Sequence, residues 1–404
     1  MLLSVIRITQ IIMTKAVSSD DIYKDIRPYH DHEVPAVLKR LANDQRLIGA
    51  LAQFKFPRLN RFIPTLTRRV IRGYLNGYVK KVNGVDDVQI RLTSYIQRTI
   101  ETTTESLTYE GLSELDPKQA YLFISNHRDI VMDPTFVNYS LHLEGFPTAR
   151  IAAGDNLLSE QYIGDLMRLN KTFIVRRSIS NRREKMAALT KLSRYISESI
   201  NDSCSIWIAH REGRSKDGLD KTDSAVLKML QLGQRPETKS FALAMQNLKI
   251  VPVAISYQYD PCDAMKAHEL AVKAQTGDYQ KAPGEDTRSI VKGIMGNKGR
   301  VHVAFGQPLD EFSEDSGEMA LIIDKAIHQL YRLHDTNYAA ADLLVGKECE
   351  ALNADALAHI QSRLQGLDEA ERQQLLAMYA NPVLQKQNWE TAAEKTFIPT
   401  NRAS

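Results

Sequence analysis

Cysteine is scarce in this 404-residue chain, and the three present, Cys204, Cys262 and Cys349, stand far apart with no C-x-x-C pair. That excludes a disulfide framework and the usual spacing of a zinc site, and it fits a reducing cytosol. Net charge is nearly absent as well. The 52 Lys and Arg against 49 Asp and Glu leave +3, too little over this length for nucleic acid to be a global partner. Also missing is an uninterrupted apolar run of spanning length, roughly 20 residues. The opening MLLSVIRITQIIM is too short, is broken by Arg7 and lacks a small-residue cleavage site. Because Met13 begins the soluble-looking MTKAVSSDDIYKDIRPY, the first dozen residues are expected to be a mis-assigned start. The chain is expected to be soluble or peripheral to a membrane. Internal repeats and low-complexity segments are lacking too.

The 43% hydrophobic composition is enough for a sizeable core, in one large α/β domain with additions or two modest domains. From about Asp31 to Phe54, Val34, Val37, Leu38, Leu41, Leu47 and Leu51 fall near helical spacing, with Pro35 suited to a first turn. The middle of the chain changes rhythm. YLFIS (121–125), ARIAA (149–153), TFIVR (172–176), CSIWIA (204–209), IVPVAIS (250–256) and RVHVAFG (300–306) are short apolar runs that suit buried strands. Between two of them Leu189, Leu192, Ile196 and Ile200 mark one helix face, with Ser180 or Asn181 placed to cap it. This alternation predicts an α/β fold with a central, largely parallel sheet flanked by helices. After Phe312 the pattern is helical again. The expected organisation is a helical region over 1–104, an α/β domain over 105–312 and a helical region over 313–404.

One stretch stands apart. Residues 55–81 carry Lys55, Arg58, Arg61, Arg68, Arg69, Arg72, Lys80 and Lys81 without a single acid. Leu59, Phe62, Leu66, Val70, Tyr74 and Tyr78 recur at spacings of three or four through it. Such a stripe beside basic residues is the pattern of a membrane-surface helix, and equally of a helix whose stripe lies in the core.

The chemistry-bearing segments fall at strand ends, where parallel sheets bind ligands. SNHRDIVMDP (125–134) puts His127 where the chain leaves a strand. An imidazole there can take a proton from an alcohol, and a carboxylate on its other nitrogen would fix the tautomer; Asp133 could supply it. Asp133 before Pro134 is also an ordinary helix N-cap, and a loop histidine is usually inert. NKTFIVRR ends another strand with Arg176 and Arg177, and IWIAHREGRSKDG ends a third with Glu212, Gly213, Arg214, Ser215 and Lys216. Arginine forks recognise phosphate oxygens, and glycine lets backbone donors approach an anion. Each could be surface charge alone, but their recurrence at strand ends points to an anion site.

In order, SNHRDIVMDP, NKTFIVRR, AHREGRSKDG and IVPVAISY resemble the four motif blocks of the glycerolipid acyltransferase superfamily, and GRVHVAFGQPLD resembles the segment that follows them. Coverage runs from about residue 105 to 312. The resemblance implies that His127 is the general base for a glycerol hydroxyl attacking an acyl thioester, with Asp133 orienting it. Arg128, Phe173, Arg176, Glu212, Gly213, Arg214 and Ser215 would bind the acceptor, and Pro252 would shape the acyl-donor side. It implies no metal and no cofactor, acyl-CoA or acyl-carrier protein as substrate, and glycerol 3-phosphate or a 1-acylglycerol 3-phosphate as acceptor. The chain would work peripherally at the cytoplasmic membrane. GRSKDG looks more like the block of glycerol-3-phosphate and dihydroxyacetone-phosphate acyltransferases than the FPEGTRS form. One departure stands out: five residues separate His127 from Asp133 where the family has four, and Met132 occupies the expected aspartate position. Asp133 reaches the imidazole through a bulge, or Asp129 serves instead, or the chain is a lipid-binding or regulatory relative that keeps the fold without the chemistry.

Overall fold

The structure is a computed structural model that describes residues 21–79, 81–158, 160–346 and 354–396, without the side chains of 390–396. The MLLSVIRITQIIM opening, Lys80 and Cys349 lie outside the described residues. Contacts group the chain into two units where the sequence suggests three consecutive regions. One unit holds the chain up to Val85 together with Ala153–Tyr195, and the other holds Asp86–Ala152 together with the chain from Ile196 onward.

Seven strands hydrogen-bond in the order β1-β7-β6-β2-β5-β3-β4, namely β1 (Ser106–Glu110), β2 (Leu122–Ser125), β3 (Arg150–Gly154), β4 (Thr172–Val175), β5 (Ile206–Ala209), β6 (Ile250–Tyr257) and β7 (Arg300–Phe305). Strand β2 runs parallel to both β5 and β6, β3 runs parallel to β5, and β1 runs parallel to β7; β6 and β7 are antiparallel. The six apolar runs in the sequence are six of these strands. The seventh, SLTYE, was missed because only its Leu107 and Tyr109 pack on the core while the rest faces outward. The central strands are buried along their whole length, which is why they read as continuous apolar runs without alternation. Around them Phe123, Phe136, Val251, Val303 and Phe305 share one core cluster.

The helices begin where the local chemistry directs. Asp44 accepts hydrogen bonds from Arg46 N and Leu47 N, so the N-terminal lead-in is split into Val34–Leu41 and Gln45–Lys55. Asn181, not Ser180, caps Arg182–Asn201, its Oδ1 accepting from Arg183 N at 2.9 Å and Glu184 N at 3.2 Å. Four further helices, Ser316–Leu330, Asp335–Val345, Ala354–Leu364 and Glu369–Thr396, make the C-terminal region helical. No helix among the described residues is long and apolar enough to cross a membrane.

Candidate active site

His127 follows the last residue of β2, where the chain turns before the helix Met132–Leu143. Its Nδ1 lies 2.7 Å from Asp133 Oδ2. The same oxygen accepts from the backbone N–H groups of Arg128 at 2.6 Å and Asp129 at 2.9 Å. Asp133 Oδ1 accepts from the Tyr257 hydroxyl at 2.6 Å. Asp133 is completely buried. Burial raises its pKa, but the His127 hydrogen bond and charge, the Tyr257 hydroxyl and the backbone donors outweigh it and hold the carboxyl below its ordinary value. An ionised acceptor on Nδ1 selects the tautomer with the proton there and leaves Nε2 as the free base. The imidazole also packs edge-on against Trp207, ring centres 5.6 Å apart, and Trp207 Nε1 donates to Ser125 Oγ at 3.0 Å.

The extra residue between His127 and Asp133 is absorbed by the turn. Asp129 Oδ1 accepts from Val131 N at 2.9 Å and Met132 N at 2.8 Å, so Asp129 closes the turn ahead of the helix and Asp133, one position inside it, faces back to the imidazole. Met132, at the position where the family pattern has aspartate, is buried in the core cluster. Burial and the neighbouring Asp133 charge raise the pKa of Asp129 above its usual value.

Arg128 turns inward. Its guanidinium donates to Asp220 Oδ2 at 2.7 Å and Ser215 Oγ at 3.1 Å, and it lies 5.8 Å from the Tyr331 ring centre. Burial lowers its pKa, and the Asp220 charge more than offsets that. Its backbone carbonyl accepts from Lys266 Nζ at 2.8 Å. Ser215 is buried and donates its backbone N–H to His127 O at 2.7 Å, which ties the glycine-containing loop after β5 to the loop after β2. In that loop Glu212 and Gly213 are exposed, and half-buried Arg214 donates to Ser289 Oγ at 2.8 Å. Pro252 sits inside β6 opposite Ile124, buried, with its carbonyl accepting from Gly306 N at 2.9 Å. Phe173 and Arg176 belong to the other unit. There Phe173 is buried with its ring 5.3 Å from Tyr195, and Arg176 pairs with Asp25 at 2.8 Å.

Sequence reasoning did not single out Tyr257, Trp207 or Asp220. Tyr257 had a usable signal: it shares parity with Val251, Val253 and Ile255, and all four join one core cluster, so its hydroxyl falls at the strand's end on that face. Asp220, in the loop KDGLD, carried none.

The Acyltransferase family model matches residues 106–256. Dihydroxyacetone phosphate acyltransferases resemble the chain as well. Those of Oryctolagus cuniculus and Bos taurus are each 25% identical to it, and that of Homo sapiens is 24% identical. These matches take in 52% of this chain but only 30% of each relative, so the chain spans about a third of the length of the curated relatives it matches. Among solved structures, the 1-acyl-sn-glycerophosphate (LPA) acyltransferase PlsC from Thermotoga maritima matches over 70% of this chain and 95% of its own, at 14% identity. Its TM-score is 0.35. Residues 106–256, the stretch that the Acyltransferase family model matches, hold the His127 and Asp133 pair.

Proposed function

We propose that the chain transfers a fatty acyl group from an acyl-CoA or acyl-carrier-protein thioester to the hydroxyl of a glycerol-phosphate-type acceptor. The acceptor is glycerol 3-phosphate or 1-acylglycerol 3-phosphate, with dihydroxyacetone phosphate the further candidate that the relatives' names suggest. The observation that carries this reading is the 2.7 Å contact between His127 Nδ1 and Asp133 Oδ2, with a fully buried carboxylate. His127 Nε2 takes the proton as the acceptor oxygen adds to the thioester carbonyl. The tetrahedral intermediate collapses, the carbon–sulfur bond breaks, and the imidazolium returns the proton to the departing thiolate. Asp133 stabilises the imidazolium without itself taking the proton. No covalent enzyme intermediate is needed. Arg214, with the exposed Glu212 and Gly213 beside it, forms the acceptor side, and Ser215 N–H holds that loop against the His127 carbonyl. Arg128 serves this site from within, as a tie between the two loops through Ser215 and Asp220.

The donor chain and the acylated product are apolar, so the reaction belongs at a membrane surface, and we place it peripherally on the cytoplasmic face. The test is acceptor-dependent release of free thiol from acyl-CoA and from acyl-carrier protein, with each of the three acceptors, comparing wild type and His127→Ala. Turnover with one donor and acceptor that disappears in His127→Ala is the expected result. Turnover that persists in the variant, or is absent with every pairing while lipid still binds, sinks the reading in favour of a binding protein.

A further inference from the structure

In the unit that holds the chain up to Val85 together with Ala153–Tyr195, the helix Pro64–Val79 buries Thr67 and Ile71, the latter packing with Ile48 and Ala52. The apolar stripe of the sequence lies elsewhere on it. Phe62 is 79% exposed, and Leu66, Val70 and Tyr74 are exposed by half or more, or close to it. Phe54, Phe56 and Leu59 extend the patch. Of the two readings the sequence leaves open, the core one therefore fails for these residues. A contiguous exposed apolar patch of this kind marks an interaction surface.

Next to it is a cavity of about 530 Å³ lined by Arg58, Arg61 and Arg68 with Gln53 and Asn60. Residues 55–81 contain no acid, so the same stretch offers these arginines no carboxylate. The Asn60 amide donates to Gln53 Oε1 at 3.1 Å, while Asn60 Oδ1 is buried without a hydrogen-bond partner. Three guanidinium forks and one waiting acceptor in a small concavity match a phosphodiester that carries a hydroxyl-bearing headgroup. We propose that this cavity seats the phosphodiester of an anionic phospholipid, while the flanking Phe62, Leu66 and Val70 enter the adjoining acyl layer. The occupant is a membrane because charge and apolar surface are offered side by side, as an interfacial helix offers them. The inference deepens the peripheral placement proposed above, and lipid binding can be measured without any turnover.

The experiment is flotation of the full chain with vesicles of phosphatidylcholine alone and with about 30% phosphatidylglycerol, an anionic fraction that attracts basic segments. Wild type is expected to float only with the anionic vesicles. R58A/R61A/R68A should lower the partition coefficient about a hundredfold, given the worth of each basic residue near such a surface. R58K/R61K/R68K keeps the charge and loses the planar forks, and it should still bind about tenfold more weakly than wild type. An unchanged lysine variant overturns the cavity as a built seat, and equal flotation on pure phosphatidylcholine overturns the anionic occupant. Thiol release with water-soluble acceptor and no vesicles should be the same in wild type and the variants. If wild type shows no turnover there, the acyl-transfer reading fails while the flotation result stands by itself.

Discussion

The Tyr257 hydroxyl reaches Asp133 Oδ1 at 2.6 Å, on the side of the carboxylate away from His127, whose Nδ1 meets Oδ2 at 2.7 Å. Burial, followed by the charge of Asp133, pushes the Tyr257 pKa well above its ordinary value, so the phenol stays a donor throughout the working range. The carboxylate is thus held from both sides by β6 and by its own turn. In Tyr257→Phe one donor to a buried charge is lost, an interaction worth about 1.5–3 kcal/mol. The expected result is a kcat about tenfold lower with acceptor KM unchanged, because the carboxylate that orients the imidazole is no longer held from the β6 side. Steady-state kinetics of the variant beside wild type check it.

The two aspartates of the turn should separate cleanly. Asp133→Asn removes the charge that supports the imidazolium and should cost about a thousandfold in kcat. Asp129→Asn retains the oxygen that accepts from Val131 N and Met132 N, and kcat should remain within about threefold of wild type, since that role is a neutral cap. Close packing guards the same turn. A Cβ on Gly293 would come within 2.0 Å of Asp129 Oδ2, so Gly293→Ala should destabilise by about 2 kcal/mol or more and lower kcat as the turn shifts. Urea unfolding alongside steady-state kinetics on the three variants reads both effects. Equal loss in Asp129→Asn and Asp133→Asn would remove the division of roles.

Much of this site could be read from residue order alone. Strands such as YLFIS and IVPVAIS are apolar because they are buried on both faces, and that same property ends them abruptly at SNH and at Tyr257, where polar chemistry gathers. The sequence leaves three readings of His127 open: a partner in Asp133, a partner in Asp129, or neither. The contact depends on side-chain direction: Asp129 turns toward the helix start and Asp133 toward the ring, which spacing does not encode. Arg128 illustrates the opposite limit. A cation beside the histidine reads as a substrate ligand, yet its partner Asp220 is 92 positions away in sequence, and only tertiary contact shows that the guanidinium is engaged inward. The basic stripe of 55–81 was ambiguous for a related reason, because amphipathic periodicity reports that a face is apolar but not whether another element covers it.

Stability should fall in mild acid. His210 is fully buried, with neither ring nitrogen hydrogen-bonded and Asp324 Oδ1 at 4.0 Å, and burial lowers its pKa to about 4. The native state therefore binds fewer protons than the unfolded chain between about pH 4 and the unperturbed value near 6.5. Its stability contribution is fully present above that unperturbed value and is lost progressively as pH falls toward 4, with a slope of at most about 1.4 kcal/mol per pH unit. His334, also lowered to about 4, acts with the same sign, so the comparison must isolate one group. His210→Gln should flatten the dependence by about 3 kcal/mol over the window, read from urea midpoints at several pH values. An identical slope in the variant would show that His210 is not responsible.

The C-terminal helix Glu369–Thr396 supplies the last prediction, because it grips the glycine-containing loop by its backbone. Gln385 Oε1 accepts from Asp220 N at 2.9 Å and Gln385 Nε2 donates to Asp220 O at 3.0 Å, while Asn381 Nδ2 donates to Asp217 O at 2.6 Å. Gly218 lies between them at φ 76, and a Cβ there would fall 2.1 Å from Met378 O. The Asp220 carboxylate in turn holds Arg128, whose backbone N–H supports Asp133. Helix and glycine-containing loop are therefore one mechanical unit, and if that loop binds the acceptor as proposed, loosening the grip should act on acceptor binding before chemistry. N381A/Q385A should raise acceptor KM about tenfold, leave donor KM unchanged and lower kcat by no more than about threefold, since three backbone-directed hydrogen bonds of about 1 kcal/mol each are lost. Gly218→Ala should go further and destabilise the fold by about 2 kcal/mol or more, because backbone faces backbone and neither can rotate away. A purely structural helix would lower stability in N381A/Q385A without splitting the two KM values, so the ratio of acceptor to donor KM decides between them.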